Sequence, residues 1–363
     1  MGSTSRAHIA QQPSVGPMST LVSVLMPSYR DVQLVERSLP RILEGSKCDL
    51  EVVVLNNDSD QAVQVRRLVH GMDDPRVRVL DLDHQAGFSK AINAGIEATR
   101  GELVFFANSD LFVADGYLDR IARFLEGHQR AACAAGKILR YELHTGRETD
   151  IIDTTGHTIG RNRRAIDRGE NERDVGQYER EEQVFGVSGA ALVVRRDALE
   201  AIRVRGEYLD ESFDMYKDDV DLCWRLRLAG WECWHVPRAV AYHARTSHGL
   251  GDMAYVSALS AFHENEKRKP RRVRINSMRN QWLMLVKNDD LANLARDLPY
   301  VLGREALVLG HNLVFAPRDT ASALRQFFRA LPRAFASRRI IKAGQSIPPS
   351  EIRRWFVSQR RQQ

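Results

Sequence analysis

Three short apolar runs, LVSVLMP (21–27), LEVVVLN (50–56) and GELVFFAN (101–108), stand apart from stretches where apolar residues recur at helical spacing. Runs this short, rich in β-branched and aromatic residues, predict buried parallel strands, and VRVLDL at 77–82 predicts another. Between them, Leu34, Val35, Leu39, Ile42 and Leu43 keep a 3.6-residue stripe over 32–43. Ala91, Ile92, Gly95, Ile96 and Ala98 do the same over 89–99. Strand, helix, strand, helix, strand implies a wound α/β sheet with right-handed crossovers, the layout of nucleotide-binding domains.

Past Tyr141 the pattern weakens. Residues 141–183 are polar and glycine-dotted, which suits either a solvated insertion or a mobile loop over a site; the prompt return of order favours the loop. VFGVSGAALVVRR (184–196) predicts a strand whose small residues let backbone approach a neighbour closely. MYKDDVDLCWRLRLAGW (215–231) predicts a helix stopped near Gly230, with Asp218, Asp219 and Asp221 in its first turn, where the helix dipole favours anions. The remainder is helical and basic, with Leu291, Leu294, Leu298, Val301, Leu302, Leu309 and Leu313 on one stripe, broken or kinked at Pro299.

Charge sharpens this division. The chain has 363 residues and a net charge of +6, yet from Glu264 onward 21 Lys and Arg face 8 Asp and Glu, a balance of +13 that leaves the preceding part at −7. A basic tail can meet nucleic acid, anionic lipid or water. Cys48, Cys133, Cys223 and Cys233 form no CxxC pair and have no histidines at zinc-finger spacing, so neither a disulfide frame nor a structural zinc site is expected, and a reducing cytoplasm fits. The first 20 residues read as a disordered leader, and no run nears the ~18 apolar residues of a membrane span.

The candidate chemistry begins where the third strand ends, at Asn108, Ser109 and Asp110. Such a tripeptide suits a turn, but ligands of open parallel sheets bind at the carboxyl ends of strands. Its neighbours decide: VSVLMPSYRD, VVVLNNDSD, AGFSKAINAGIEATRGELVFFANSD, GVSGAALVVRR and YKDDVDLCWRLRLAGW occur in an order and spacing that resembles the inverting family-two nucleotide-sugar glycosyltransferases of GT-A fold. The resemblance covers about 21–250. It implies a mixed, mainly parallel α/β sheet over 21–262, with 21–125 the nucleotide-binding half and 126–262 the acceptor half, followed by a basic helical region at 263–363.

The resemblance also implies roles. Asp110 and His243 would hold Mg2+ or Mn2+ on the diphosphate, whose growing charge a cation on carboxylate oxygen neutralises. Pro27, Ser28, Tyr29, Asn56, Asn57, Gly87, Phe88, Asn93, Asn108 and Ser109 would bind the nucleotide sugar. Asp219 would be the catalytic base, with Asp218, Gly189, Ala190 and Arg225 on the acceptor side; adjacent carboxylates raise each other's proton affinity, which suits a base near neutral pH. Asn108 and Asn56 stand where relatives often carry aspartate, and Arg30 replaces a common Asn. IDTTGHTIGRNRRAIDRGENERDVGQY and INSMRNQWLMLVKN are similar to a rhamnosyltransferase-like subgroup, implying a deoxyhexose such as rhamnose, a saccharide or lipid-linked saccharide acceptor, and cell-surface polysaccharide synthesis at the inner face of the cytoplasmic membrane. The tail's Trp282, Phe327, Phe328, Phe335, Trp355 and Phe356 have the composition of a peripheral membrane contact, best at 323–339, and equally of a packed bundle. Two other readings are a sugar-nucleotide fold kept as a non-catalytic scaffold and, ranked low for want of a reader motif, a nucleic-acid-binding tail. The sequence sets neither the acceptor linkage nor an oligomeric state.

Overall fold

The computed structural model describes residues 20–82, 86–245, 263–264, 266–267 and 269–357. Apart from Thr20, the expected leader lies outside these residues, as does 246–262. Strands β1 (Val22–Ser28), β2 (Leu50–Asn56), β3 (Val77–Asp81) and β4 (Leu103–Ala107) run parallel in the order β3-β2-β1-β4. Helices α1 (Val32–Glu44), α2 (Ala62–Met72) and α3 (Phe88–Glu97) supply the crossovers. Val24, Val52 and Phe105 pack with Val35, Leu39 and Ile42 on one face, and Leu25, Val53 and Phe106 with Ala91, Ile92 and Ile96 on the other. Burial on both faces is why these strands read as unbroken apolar runs.

The second half extends the sheet. It contains β5 (Leu111–Val113), α4 (Tyr117–Gly127), β6 (Ala131–Glu142), β7 (Arg147–Thr154), β8 (His157–Gly160), β9 (Ala165–Asp167), β10 (Glu182–Gln183), β11 (Ala191–Arg195), α5 (Arg196–Ala201), α6 (Asp218–Leu228) and β12 (Glu232–His243). Strand β11 is antiparallel to β4 and β6, and β12 is parallel to β6, giving the mixed order β10-β12-β6-β11-β4-β1-β2-β3. This is the α/β class expected from sequence.

Two stretches differ from expectation. Only 191–195 of the expected strand at 184–196 is strand, because 186–190 forms the bend that receives α6: a Cβ on Gly186 would lie 2.6 Å from Cys223 Cβ. The polar stretch 141–183 is not one irregular loop but carries strands β7 to β10. Ion pairs replace apolar packing there, with Arg245 bridging Asp153, Asp167 and Glu170.

The basic region forms α7 (Arg271–Asn288), α8 (Leu291–Phe315), α9 (Pro317–Ala343), α10 (Pro349–Arg353) and β13 (Phe356–Val357), which pairs with β8. Leu283, Met284, Ala334, Ile341 and Phe356 share a core with Ile159, Phe185, Phe213 and Trp224 of the preceding half. Arg163 seals the joint, fully buried, with Nε 2.8 Å from Asp289 Oδ2 and Nη1 3.0 Å from Asp297 Oδ2. Helix α8 continues through Pro299, and much of its expected apolar stripe faces water: Leu291 is 71% exposed and Leu302 57%, while Val301 is buried.

Candidate functional site

The end of β4 is fixed by backbone first. Asn108 N donates to Ala190 O at 3.1 Å, and Leu111 starts β5, which pairs with β12 so that Leu111 lies opposite His243. That register sets the Asp110 carboxylate beside the imidazole, with His243 Nε2 3.1 Å from Asp110 Oδ1. On the ring's other side Nδ1 lies 3.0 Å from Asp153 Oδ2 in β7. Burial alone would strip the His243 proton, but the two carboxylates hold it and push its pKa up to about 10.

This donor set fits a divalent cation. Neighbouring ligands around a six-coordinate ion with bonds of about 2.1 Å are about 3 Å apart, close to the observed Asp110–His243 separation. A carboxylate on the far nitrogen fixes the tautomer that leaves Nε2 for a metal. Asp153 was not evident from sequence, because its partner lies 90 residues away.

Beside this corner opens a cleft of about 1100 Å³. Among the expected donor residues, Pro27, Tyr29, Asn57, Gly87, Phe88, Asn108 and Ser109 line it, together with Asp110. Ser28 lies just behind, donating to Asp31 Oδ1 at 2.6 Å. Asp31, another residue missed in the sequence, also accepts from Tyr29 N at 2.8 Å and from the Ser109 hydroxyl. It thus brings a carboxylate to the cleft that holds Asn108; burial raises its pKa, against these hydrogen bonds.

Asn56 and Asn93 are turned to other work. Asn56 Nδ2 donates to Asp81 Oδ1 at 2.6 Å, tying β2 to β3. Asn93 grips the backbone of Leu209 through both ends of its amide, each at 2.9 Å, and lies outside the cleft lining.

The acidic helix start meets the same strand end. Gly189 N donates to Asp219 Oδ2 at 3.0 Å, while Ala190, the next residue, accepts from Asn108. A Cβ on Gly189 would sit 3.2 Å from Asp219 Cβ, so a small residue is needed for this approach. Burial raises the proton affinity of both carboxyls, but His157 and the Gly189 and Val220 amides bring Asp219 net below the usual carboxylate range. Asp218, desolvated beside that charge, is pushed up to about 8. The expectation that adjacency would raise the base is therefore corrected: the raised member is Asp218. Arg225 is also corrected to a structural role, its fork held by Asp221 Oδ2 at 3.0 Å, Ile202 O at 3.0 Å and Tyr208 O at 2.6 Å.

The loop before α6 is held from the tail. Asp214, Tyr216 and Lys217 have φ of 65°, 71° and 66°, left-handed values that cost non-glycine residues of order 1–3 kcal/mol each. Helix α7 fixes them: Asn280 Nδ2 donates to Phe213 O, Met215 O and Tyr216 O at 2.8–3.0 Å, and Asn276 and Arg272 hold the Asp214 carboxylate. The cysteines hold a further surprise. Cys133, Cys223 and Cys233, all fully buried, bring their thiols within 4.8 Å of one another where β6, β12 and α6 meet.

Comparison with known proteins speaks to the fold that carries this geometry. The family described as "Glycosyl transferase family 2" matches residues 23–203. The succinoglycan biosynthesis protein ExoO of Rhizobium meliloti is 33% identical over 138 residues, 38% of this chain and 36% of that protein. The uncharacterized glycosyltransferase EpsJ of Bacillus subtilis is 30% identical over 115 residues, 31% of this chain and 32% of that protein. The chain thus spans about a third of the length of these curated relatives. Among solved structures, mannosyltransferase PcManGT of Pyrobaculum calidifontis, in complex with GDP-Man and Mn2+, has a TM-score of 0.52 at 14% identity, covering 93% of this chain and 90% of that one. GalNAc-T7 with UDP, GalNAc and Mn2+ has a TM-score of 0.55 at 9% identity, covering 74% of this chain and 48% of that one. At such identities the structures speak to fold alone; residues 23–203 are similar to glycosyl transferase family 2, and the mixed α/β sheet that carries them is shared with these solved transferases.

Proposed function

We propose that this chain is a metal-dependent inverting glycosyltransferase that moves a sugar from a nucleoside diphosphate to a saccharide acceptor. One observation carries the reading: Gly189 and Ala190, consecutive residues, bind Asp219 and Asn108 respectively, so that the candidate base and the metal corner share one support. The cleft lined by Tyr29, Asn57, Gly87 and Ser109 would take the nucleotide sugar, its diphosphate toward Asp110 and His243. A bound Mg2+ or Mn2+ there would neutralise charge growing on the departing phosphate. Asp219, ionised and aimed by two backbone amides, takes the proton of the attacking hydroxyl as the new glycosidic bond forms. Asp218, neutral below about pH 8, donates a hydrogen bond on the acceptor side. Relatives named for succinoglycan and O-antigen biosynthesis support that process, and a deoxyhexose such as rhamnose rests on the resemblance of 152–178 alone.

The domain division proposed is a donor half to about 125, an acceptor half to about 262 and a supporting helical region beyond. No helix among the described residues is long and apolar enough to cross a membrane. A peripheral contact is supported by exposed Phe328 and Phe335 on α9 and Phe315 on α8, whereas Phe327 packs on Trp282 and Phe356 is buried.

The test is a panel of uridine- and thymidine-diphosphate sugars with saccharide and lipid-linked acceptors. Asp219→Asn should cut transfer at least a hundredfold while donor affinity stays within threefold; turnover surviving that change would remove Asp219 as base. Nucleotide release abolished by chelator and by Asp110→Ala would fix the metal corner and name the sugar.

A further inference from the structure

The loop that carries the base separates two cavities. Met215 and Arg272 line the donor cleft, whereas Lys217, two residues on, lines a second cavity of about 500 Å³ bounded by 162–165, α7 and α8. Its wall gathers five basic side chains, Arg164, Lys217, Lys269, Arg274 and Arg304, against two acidic ones, Glu266 and Glu305. Both glutamates are already engaged, Glu266 with Lys269 and Glu305 with Arg304 and the Trp282 indole. The Lys217 side chain has no hydrogen bond or ion pair among the described residues, and the buried Arg274 Nε has no hydrogen-bond partner there, while the rest of that guanidinium meets Lys269 O at 2.8 Å and Asp319 Oδ2 at 3.6 Å. Burial, then repulsion from Arg304, Lys269 and Arg164, brings the Lys217 pKa down to about 7.

Like charges gathered in a recess repel unless an anion joins them, and guanidinium forks match the oxygens of phosphate. The volume exceeds what one phosphate needs and suits a diphosphate with part of a sugar. Position supplies the role. Lys217 immediately precedes Asp218 and Asp219, and the loop that joins it to Met215 stands between this cavity and the donor cleft.

We propose that this cavity binds the phosphate portion of an anionic acceptor and thereby delivers the acceptor hydroxyl to Asp219, an inference that rests on the transferase reading above. Lipid-linked saccharide diphosphates and soluble sugar phosphates present the same group to it.

The test uses the full chain and a Lys269→Gln/Arg304→Gln double variant, with Arg164→Gln, at an exposed position, as the independent second variant. Inorganic pyrophosphate is titrated calorimetrically with chelator present. Binding should weaken tenfold or more in the double variant and at least threefold in Arg164→Gln, but not in Asp110→Asn. In transfer assays the double variant should raise KM tenfold for a phosphorylated acceptor, leaving kcat, donor KM and the use of a neutral saccharide unchanged. Loss on both soluble and lipid-linked phosphorylated acceptors supports recognition of phosphate itself; loss confined to the lipid-linked one supports the site with lipid as its source. Pyrophosphate binding that persists in folded variants, or that falls equally in Asp110→Asn, overturns the proposal. Pyrophosphate binding that follows the variants in a protein that transfers no sugar keeps the anion site and sinks the transferase reading instead.

Discussion

His157 Nε2 lies 3.4 Å from Asp219 Oδ2, and Nδ1 of the same ring lies 3.5 Å from Asp167 Oδ1. The ring is buried, which opposes its charge, yet the two carboxylates raise its pKa above the ordinary histidine value. A cation so placed keeps Asp219 ionised as pH falls. Replacing His157 with Asn should raise the Asp219 pKa and shift the acid limb of the kcat profile upward by about one unit, with donor KM unchanged. An unmoved acid limb in a folded variant would assign His157 to packing alone.

Asp218 should behave in the opposite sense. Its folded pKa, about 8, exceeds the ordinary 3.8, so the native state binds more protons than the unfolded chain between those values. Stability contributed by this group is therefore lost as pH rises through that window. Asp218→Asn should raise the melting temperature at pH 8, flatten the alkaline limb of the activity profile and retain transfer within about tenfold at pH 7. A lower melting temperature would mean that the carboxyl is ionised in the native protein.

Asp153 tests the metal corner without touching an expected ligand. Asp153→Asn removes the negative charge from the group that orients His243, which should weaken Mn2+ affinity in a calorimetric titration by about 10–100-fold. Asp110→Asn should weaken it further. Unchanged Mn2+ affinity in Asp153→Asn would detach the ring's orientation from metal binding.

Asn280 offers a test of the loop from its helical support. Asn280→Ala leaves three carbonyls of the base loop without this donor, a loss of about 1–3 kcal/mol in denaturant unfolding. Because the loop leads into Asp219 and touches the donor cleft only through Met215, kcat should fall more than tenfold and donor KM should rise by a smaller factor. Equal losses in both would place the loop's influence on the donor.

The parallel strands were legible because two-sided burial writes itself as short apolar runs; β2 occupies the very residues 50–56 that the pattern marks. The strand-end Asp110 and the helix-start Asp219 were legible because their neighbours repeat a family's spacing. Asp153 and His157 were hidden in a stretch whose strands are held by ion pairs, which leave no alternation of apolar residues to read. Asn280 acts on three backbone carbonyls, and Asp31 joins hydroxyls of Ser28 and of Ser109, the latter 78 residues away, contacts that leave no signature in local residue type. The exposed leucines of α8 mark the reverse error, since helical spacing reports a face without saying what covers it.

The clamp of α7 on the base loop separates two boundaries that are easily equated. The recognisable family segment ends at residue 203, ahead of Asp219, His243 and Asn280. A fragment cut to that segment would keep the strand-end carboxylate and lose the proposed proton acceptor Asp219, and one cut at 262 would keep Asp219 on an untethered loop. The unit that inheritance makes recognisable is thus shorter than the unit that the proposed chemistry needs, and a chimera built to exchange the proposed donor specificity would have to carry the helices as well as the sheet.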